Sequence, residues 1–385
     1  MSHKFTIIVP SRDRLENLKI TCEHLLKIKH PSFCILISDN CSTDGTYEYI
    51  DQTYGENENI KLIQTPERLP MSLNWDFAIR HVKSEFYTII GDDDGIYHNA
   101  LEIVEDIFMD NPEIDFIRSN VSSFHWPTEE CKGSFSGSKR KKTKYSVLST
   151  KSSLSACKIG AVPYTYLPML YNGGFVRTKV INDYLKTNPD QYFYKSINPD
   201  IYSAVYFGLN LDKYIYVHRD LAINGASKYS TGVSTFTIGS GEKKSATIKS
   251  MDENKSKGFR AHSAIPNSSL GEFVPAGAYF VHESYFQNFG KNYRPNYEEV
   301  QELIFSCRKT SSPEYAQYLN EWIDEISSVY SLEKLSYAHK IRLEATWLSY
   351  KLKRITKRIQ NRLSRFTLHA DSIEDALHQL EIKKE

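Results

Sequence analysis

Little in this sequence points to thiolate, disulfide or membrane chemistry. Its six cysteines, Cys22, Cys34, Cys41, Cys131, Cys157 and Cys307, are scattered without a C-x-x-C pair or a Cys/His run. Neither a zinc site nor a disulfide framework is therefore expected, and the thiols suit a reducing compartment. No run of about 18 apolar residues occurs, and the N-terminal run stops at Pro10, too early for a signal-peptide core. The expectation is a cytoplasmic chain without a membrane span. An excess of either charge is also missing, since 48 Lys and Arg stand against 47 Asp and Glu. That balance excludes a global field for nucleic acid and leaves only local basic surface. No G-x-G-x-x-G turn or Walker-type phosphate loop is present, and the spacing picks out no Ser/His/Asp order or activated cysteine.

What is present is a chain of 385 residues, long enough for two folded units at roughly 150 residues each. Phe5 to Val9 is apolar and β-branched, and Leu15, Leu18, Cys22, Leu25 and Ile28 then recur at helical spacing. Phe33 to Ile37 reads as a second strand, and Thr43-Asp44-Gly45 supplies turn and cap chemistry before a helix through Tyr47 and Ile50. Ile60 to Ile63 (strand), Ser72 to Val82 (helix) and Phe86 to Ile90 (strand) continue the alternation. A helix from Ala100 to Met109 and a strand from Ile114 to Arg118 follow. Such alternation predicts βαβ units in a mainly parallel sheet, with ligands beyond the carboxyl ends of its strands. Thr128 to Tyr145, with Lys139-Arg140-Lys141-Lys142, reads as an exposed loop, and Ile223 to Gly258 as a mobile segment. A helix start is expected at Ser312-Pro313-Glu314.

Asp92-Asp93-Asp94 follows the fourth strand directly. Three adjacent carboxylates repel one another, so crowding them at a strand end is costly unless a cation compensates. Mg²⁺ or Mn²⁺, held by hard oxygen ligands and shared with a diphosphate, would do so; a solvated acidic turn is the bland alternative. Asp39, after the second strand, can accept the imide N–H of a uracil or the equivalent edge of another base, or be an ordinary loop residue. Asp44 is better explained as a turn or cap residue.

Four segments occur in register over the first quarter of the chain: Ile7-Ile8-Val9-Pro10-Ser11-Arg12, Ile37-Ser38-Asp39-Asn40-Cys41-Ser42-Thr43-Asp44-Gly45-Thr46, Leu73-Asn74-Trp75-Asp76-Phe77-Ala78 and Ile90-Gly91-Asp92-Asp93-Asp94. In them the sequence resembles the inverting glycosyltransferases of family 2. The resemblance implies a GT-A (Rossmann-like) α/β fold, a mainly parallel sheet flanked by helices, here with a C-terminal helical extension. It implies a nucleotide-sugar donor, a UDP-sugar favoured, and Mg²⁺ or Mn²⁺ as cofactor. Carried over, Pro10 and Arg12 border the nucleotide, Asp39 reads the base, Asn74 lies near it, and Asp92 and Asp93 serve the nucleotide. Asp92 and Asp94 form the metal-binding D-x-D pair, although Asp93-Asp94 aligns equally well. Thr65-Pro66-Glu67-Arg68-Leu69-Pro70 stands where the family has a Gly-rich turn, which leaves the donor open.

The resemblance also asks for a carboxylate base within reach of the acceptor hydroxyl. In Ser196-Ile197-Asn198-Pro199-Asp200-Ile201-Tyr202, Asn198 can cap a helix, Pro199 suits its first position and Asp200 follows in the first turn. A plain dipole-complementing Asp would stand in the same place. Tyr171-Asn172-Gly173-Gly174 reads equally as a turn against the donor sugar or a hairpin, and His218 as a strand-end residue or a ligand.

The expected organisation is a catalytic unit over 1–225, an acceptor-side flexible region over 226–311 and a helical region over 312–385. In the last, Leu348, Leu352, Ile355, Ile359, Leu363 and Phe366 form an apolar stripe among Lys351, Lys353, Arg354, Lys357, Arg358, Arg362 and Arg365. That pattern suits an anionic membrane surface or packing on a partner helix or the catalytic unit. A glycan or lipid-linked glycan acceptor and a peripheral location on the inner face of the cell membrane would follow from the first reading. A nucleotidyltransferase and a non-catalytic scaffold are the competing classes.

Overall fold

The computed structural model describes residues 3–129, 131–138, 143–158, 162–227, 313–329 and 365–382, with isolated positions between 253 and 305 and at 331 and 341. The first half alternates as the periodicity demands: β1 (Phe5–Ser11), α1 (Leu15–Leu25), β2 (Phe33–Asp39), α2 (Thr46–Tyr54), β3 (Ile60–Gln64), α3 (Met71–Ile79) and β4 (Phe86–Ile89). A two-residue β5 (Gly95–Ile96), α4 (Ala100–Asp110), β6 (Phe116–His125), β7 (Ser134–Ser138), β8 (Tyr145–Ser149) and α5 (Thr150–Lys158) follow. β9 (Gly174–Arg177), α6 (Thr178–Thr187), α7 (Pro199–Asn210), β10 (Lys213–Ala226), α8 (Pro313–Val329), β11 (Arg365–His369) and α9 (Ile373–Ile382) complete the described elements.

One sheet holds all the described strands, in the order β11-β7-β6-β9-β4-β1-β2-β3, with β10 alongside β5, β6 and β8. Successive side chains on a strand face opposite ways, so each strand feeds two cores. Phe5, Ile7, Val9, Ile35 and Ile37 pack on one face with Leu18, Leu25, Leu101, Val104 and Phe108 from the helices. Ile8, Leu36 and Ile89 pack on the other with Trp75, Ile79, Phe193, Tyr202 and Phe207. The α/β sheet flanked by helices is the expected class, but parallel pairing is confined to β1 with β2 and β4, β2 with β3, and β6 with β10. The other pairs are antiparallel, because β9 returns between β4 and β6 without a crossover helix.

Two expectations change. The stretch from Thr128 to Tyr145 is not loop throughout, since β7 lies inside it and pairs with β6; Lys139 to Lys142 lie outside the described residues. The region 312–385 is not wholly helical: Arg365 and Phe366, expected to end the basic helix, stand in β11, antiparallel to β7. There Phe366 and Leu368 alternate with Thr367 and His369, a period of two that a short helical stripe masks in the sequence. Leu368, Ala370, Ile373, Ala376 and Leu377 join Phe124, Phe135 and Ile223 in a third core. Residues 365–382 are thus part of the body of the sheet, while the rest of the basic stripe, 348–364, lies outside the described residues.

Candidate active site

Parallel register brings the carboxyl ends of β1, β2 and β4 level, pairing Ser11 with Asp39 and Ile8 with Ile89. Every motif residue that follows these strands therefore opens on one edge. Asp39 is wholly buried. Its Oδ2 accepts the Gln64 amide at 2.8 Å and the Ser42 N–H at 3.3 Å, whereas Oδ1 has no hydrogen-bond partner. A buried carboxylate oxygen left without a donor is costly. Asn74 accepts the Ser38 hydroxyl at 2.6 Å and donates to the Ser38 carbonyl at 3.4 Å, bracing α3 against β2 one residue from Asp39. Pro10 pairs with Ser38 on β1, and Arg12 reaches outward to Glu253 at 2.8 Å. Asp44 accepts the Leu15 N–H at 2.9 Å and the Thr46 N–H at 3.2 Å, so it ties the start of α1 to the turn before α2.

β4 runs into the acidic cluster, whose three members are buried and differently held. Asp92 accepts the Ser11 hydroxyl at 2.7 Å and the Arg14 guanidinium at 2.9 Å, one on each oxygen. Burial raises its pKa and the Asp93 charge adds to this, while Arg14 opposes it. Asp94 Oδ2 accepts the Gly91 N–H and the Tyr171 hydroxyl, both at 2.7 Å, and its Oδ1 accepts the Gly225 N–H at 2.7 Å. Burial, helped by Asp93, still pushes the Asp94 carboxyl up to about 7.

A small hollow beside Gly91 collects what these groups have to offer. A side-chain carbon there would lie 3.0 Å from Asp94 Oδ2, 3.0 Å from the Tyr171 hydroxyl and 3.1 Å from Asp93 Oδ1. Two carboxylate oxygens and a hydroxyl around one hollow are hard donors of the kind Mg²⁺ and Mn²⁺ take. Of the three aspartates, then, Asp93 and Asp94 share this space, while Asp92 is committed to Arg14 and Ser11.

Tyr171 is held on both sides. Its ring stacks on Trp75 at 5.3 Å, and its carbonyl and that of Asn172 each accept Arg118 Nη1 at 2.7 Å. The turn needs this clamp because Asn172 and Gly173 take left-handed φ values of 37° and 92°. Burial draws the Arg118 pKa down to about 10. Asp200 opens α7, directly after Pro199, as expected, although Asn198 makes no side-chain cap bond. Burial raises the Asp200 pKa, with the N–H groups of Ile201 and Asp200 itself and the Arg118 charge acting against it. The Asp200 charge in turn acts on Tyr171, the same residue that binds Asp94. His218 lies within β10, with Nε2 2.8 Å from the Ser146 hydroxyl, as a strand residue.

Arg14, Tyr171, Arg118 and Gly225 carry much of this geometry, and of these Tyr171 was singled out only within a turn that could face the donor sugar. Arg14 had a signal, standing two residues after Arg12 in a basic loop; Gly225 belongs to Ile223 to Lys228, a segment that the family resemblance sets near the diphosphate as a flexible one, and the fold brings it to the cluster as part of β10. A methyl at Gly225 would collide with the Asp93 carbonyl oxygen, which also accepts the Trp126 indole N–H at 2.9 Å. Gly225→Ala should therefore lower stability by about 1–3 kcal/mol in urea unfolding and weaken divalent-cation binding by shifting Asp93 and Asp94. Unchanged cation affinity would show that β10 does not hold the cluster.

Residues 6–154 match the sequence model of the family described as glycosyl transferase family 2. They include Asp39, Asn74 and the acidic cluster, and end before Tyr171, Asp200 and Gly225. Among solved structures, the chain is similar to Staphylococcus aureus TarS 1-349 at 16% identity and a TM-score of 0.44, covering 86% of this chain and 93% of that one. For the same protein in complex with UDP-GlcNAc the identity is 17%, the TM-score 0.46 and the coverage 85% and 91%. The mannosyltransferase PcManGT from Pyrobaculum calidifontis, in complex with GDP-Man and Mn²⁺, is similar at 10% identity and a TM-score of 0.43, covering 90% of this chain and 88% of that one. No curated protein matches. Through residues 6–154 the chain carries a family 2 glycosyltransferase domain, and it is a glycosyltransferase.

Proposed function

We propose that the chain moves a sugar from a nucleotide-sugar donor, a UDP-sugar by preference, to a glycan or glycolipid hydroxyl with inversion at the anomeric carbon. The observation that carries the donor assignment is Asp39 Oδ1, a buried carboxylate oxygen without a partner at the strand edge shared with the acidic cluster. An imide N–H is a donor that a uracil ring supplies and that would satisfy this oxygen. Asp93 and Asp94 would hold Mg²⁺ or Mn²⁺ at the Gly91 hollow. When bound, the cation supplies charge neutralisation for the departing nucleoside diphosphate. Asp92, fixed by Ser11 and Arg14, faces the ribose side of the donor, and Tyr171 keeps the Asp94 carboxylate in place.

Inversion needs one displacement and one base. The acceptor hydroxyl attacks the anomeric carbon from the face opposite the leaving diphosphate, and Asp200 takes its proton as the new bond forms. Burial raises the basicity of this carboxylate above an ordinary aspartate, which suits proton abstraction near neutral pH. The choice of acceptor rests on the sequence, as does contact with an anionic membrane surface through 348–364. Among the described residues no helix is long and apolar enough to cross a membrane.

Thermal stabilisation by a panel of nucleotide sugars, with Mg²⁺ or Mn²⁺ present, tests the donor. A UDP-sugar should stabilise most, and Asp39→Ala should weaken its binding about tenfold or more, the worth of one hydrogen bond to a charged group. Equal binding of all bases, or an Asp39→Ala variant that binds as well as the parent, would remove Asp39 as the base reader.

A further inference from the structure

His24, His98 and Glu374 come from three separate parts of the chain: α1, the segment between β5 and α4, and the first turn of α9. Their ligand atoms all lie within 4.8 Å of one another. His24 Nδ1 is 3.0 Å and His98 Nε2 is 3.4 Å from the same carboxylate oxygen, Glu374 Oε2. The imidazole rings are 5.1 Å apart, and His24 is buried. Lys27 takes the other carboxylate oxygen, Oε1, at 3.0 Å.

The other nitrogen of His24 fixes what this convergence means. Nε2 lies 2.9 Å from the Ile96 carbonyl oxygen and 3.2 Å from the Ile96 nitrogen. A ring proton on Nδ1 would be donated to Glu374 with Nε2 accepting the Ile96 N–H; the shorter carbonyl contact favours the proton on Nε2, which turns a lone pair on Nδ1 toward Glu374. Lone pairs of an imidazole and a carboxylate then face each other, which is repulsive unless a positive charge lies among them. Two imidazole nitrogens and a carboxylate oxygen are a zinc donor set. Tetrahedral zinc with bonds of 2.0–2.2 Å sets its ligand atoms about 3.3–3.6 Å apart, which the 3.4 Å spacing meets and the 3.0 Å spacing falls somewhat short of. A ligating histidine also characteristically donates its second nitrogen to a backbone carbonyl, which orients the ring.

We propose that His24, His98 and Glu374 form a zinc site that fastens the C-terminal strand and helix to the sheet immediately behind the acidic cluster. Gly95, the residue after Asp94, lies against it: a side-chain carbon at Gly95 would be 2.9 Å from His24 Nε2 and 3.2 Å from Ile373 Cγ2. The site joins residues 350 positions apart, so no Cys/His run announces it. Its nitrogen ligands separate it chemically from the all-oxygen hollow at Gly91, and it stands or falls independently of the proposed transfer reaction.

Co²⁺ reports this difference directly. Full-length protein stripped with a chelator and given one equivalent of Co²⁺ should develop the strong visible absorption of a four-coordinate, nitrogen-ligated ion, which an octahedral oxygen site lacks. Zn²⁺ should bleach these bands and raise the melting temperature. Asp94→Asn should keep the bands and His98→Ala should lose them. Absence of visible bands in the unsubstituted protein overturns the proposal without reference to any variant. Bands that survive His98→Ala, or that vanish in Asp94→Asn alone, overturn it too.

Discussion

Asp200→Asn is expected to remove sugar transfer and to leave the donor bound. The amide keeps the size of the carboxylate and can still accept the N–H groups of the first turn of α7, but it cannot take a proton. If Asp200 is the base, the transfer rate should fall by about 10²–10⁴-fold, while nucleotide-sugar affinity and the melting temperature change little. The pH profile separates a base from a structural residue. Only the ionised carboxylate can accept the hydroxyl proton, so transfer at saturating donor should rise with pH through a midpoint above the ordinary aspartate range, because burial raises this pKa. The Asn variant should lose that dependence together with the rate. Loss of donor binding in equal measure would instead make Asp200 a residue that shapes the nucleotide site.

The outline of the nucleotide half was legible because its strands are short apolar runs separated by helices with one buried stripe. β1 to β4 and α1 to α4 begin or end within a few residues of their expected positions. Local pattern fixed those elements, and parallel pairing then made Asp39 and the acidic cluster neighbours. The far side of the sheet was not legible for the converse reason. β7 is Ser-Phe-Ser-Gly-Ser and β11 is Arg-Phe-Thr-Leu-His, sequences whose strand character comes from each other through long-range pairing. The place of Asn74 in a family segment did not reveal that its amide bonds Ser38 at both ends. Tyr171 was visible only as a turn residue, because its hydroxyl reaches Asp94 across 77 positions of sequence.

The acidic cluster itself should divide under substitution. Asp94→Asn is expected to abolish divalent-cation-dependent donor binding and to lower kcat/KM by roughly 10³-fold, the scale of losing one preorganised charge contact at a reacting centre. The variant retains an oxygen for the Tyr171 and Gly91 donors but turns its amide nitrogen toward the Gly225 N–H that Asp94 Oδ1 accepts, so the melting temperature is needed to separate loss of charge from loss of that contact. Asp93→Asn should fall in the same class, since Asp93 Oδ1 flanks the same hollow. Asp92→Asn should behave differently. Its carboxylate is already compensated by Arg14 at 2.9 Å, so removing the charge weakens that ion pair and costs stability more than cation affinity. Isothermal titration with Mn²⁺ and UDP, alongside melting temperatures for all three variants, resolves the pattern. Cation affinity lost in Asp92→Asn but retained in Asp93→Asn would restore the Asp92 and Asp94 pair as the metal frame. The expected order, Asp94 and Asp93 far above Asp92, follows from which carboxylates face the hollow and which one faces an arginine.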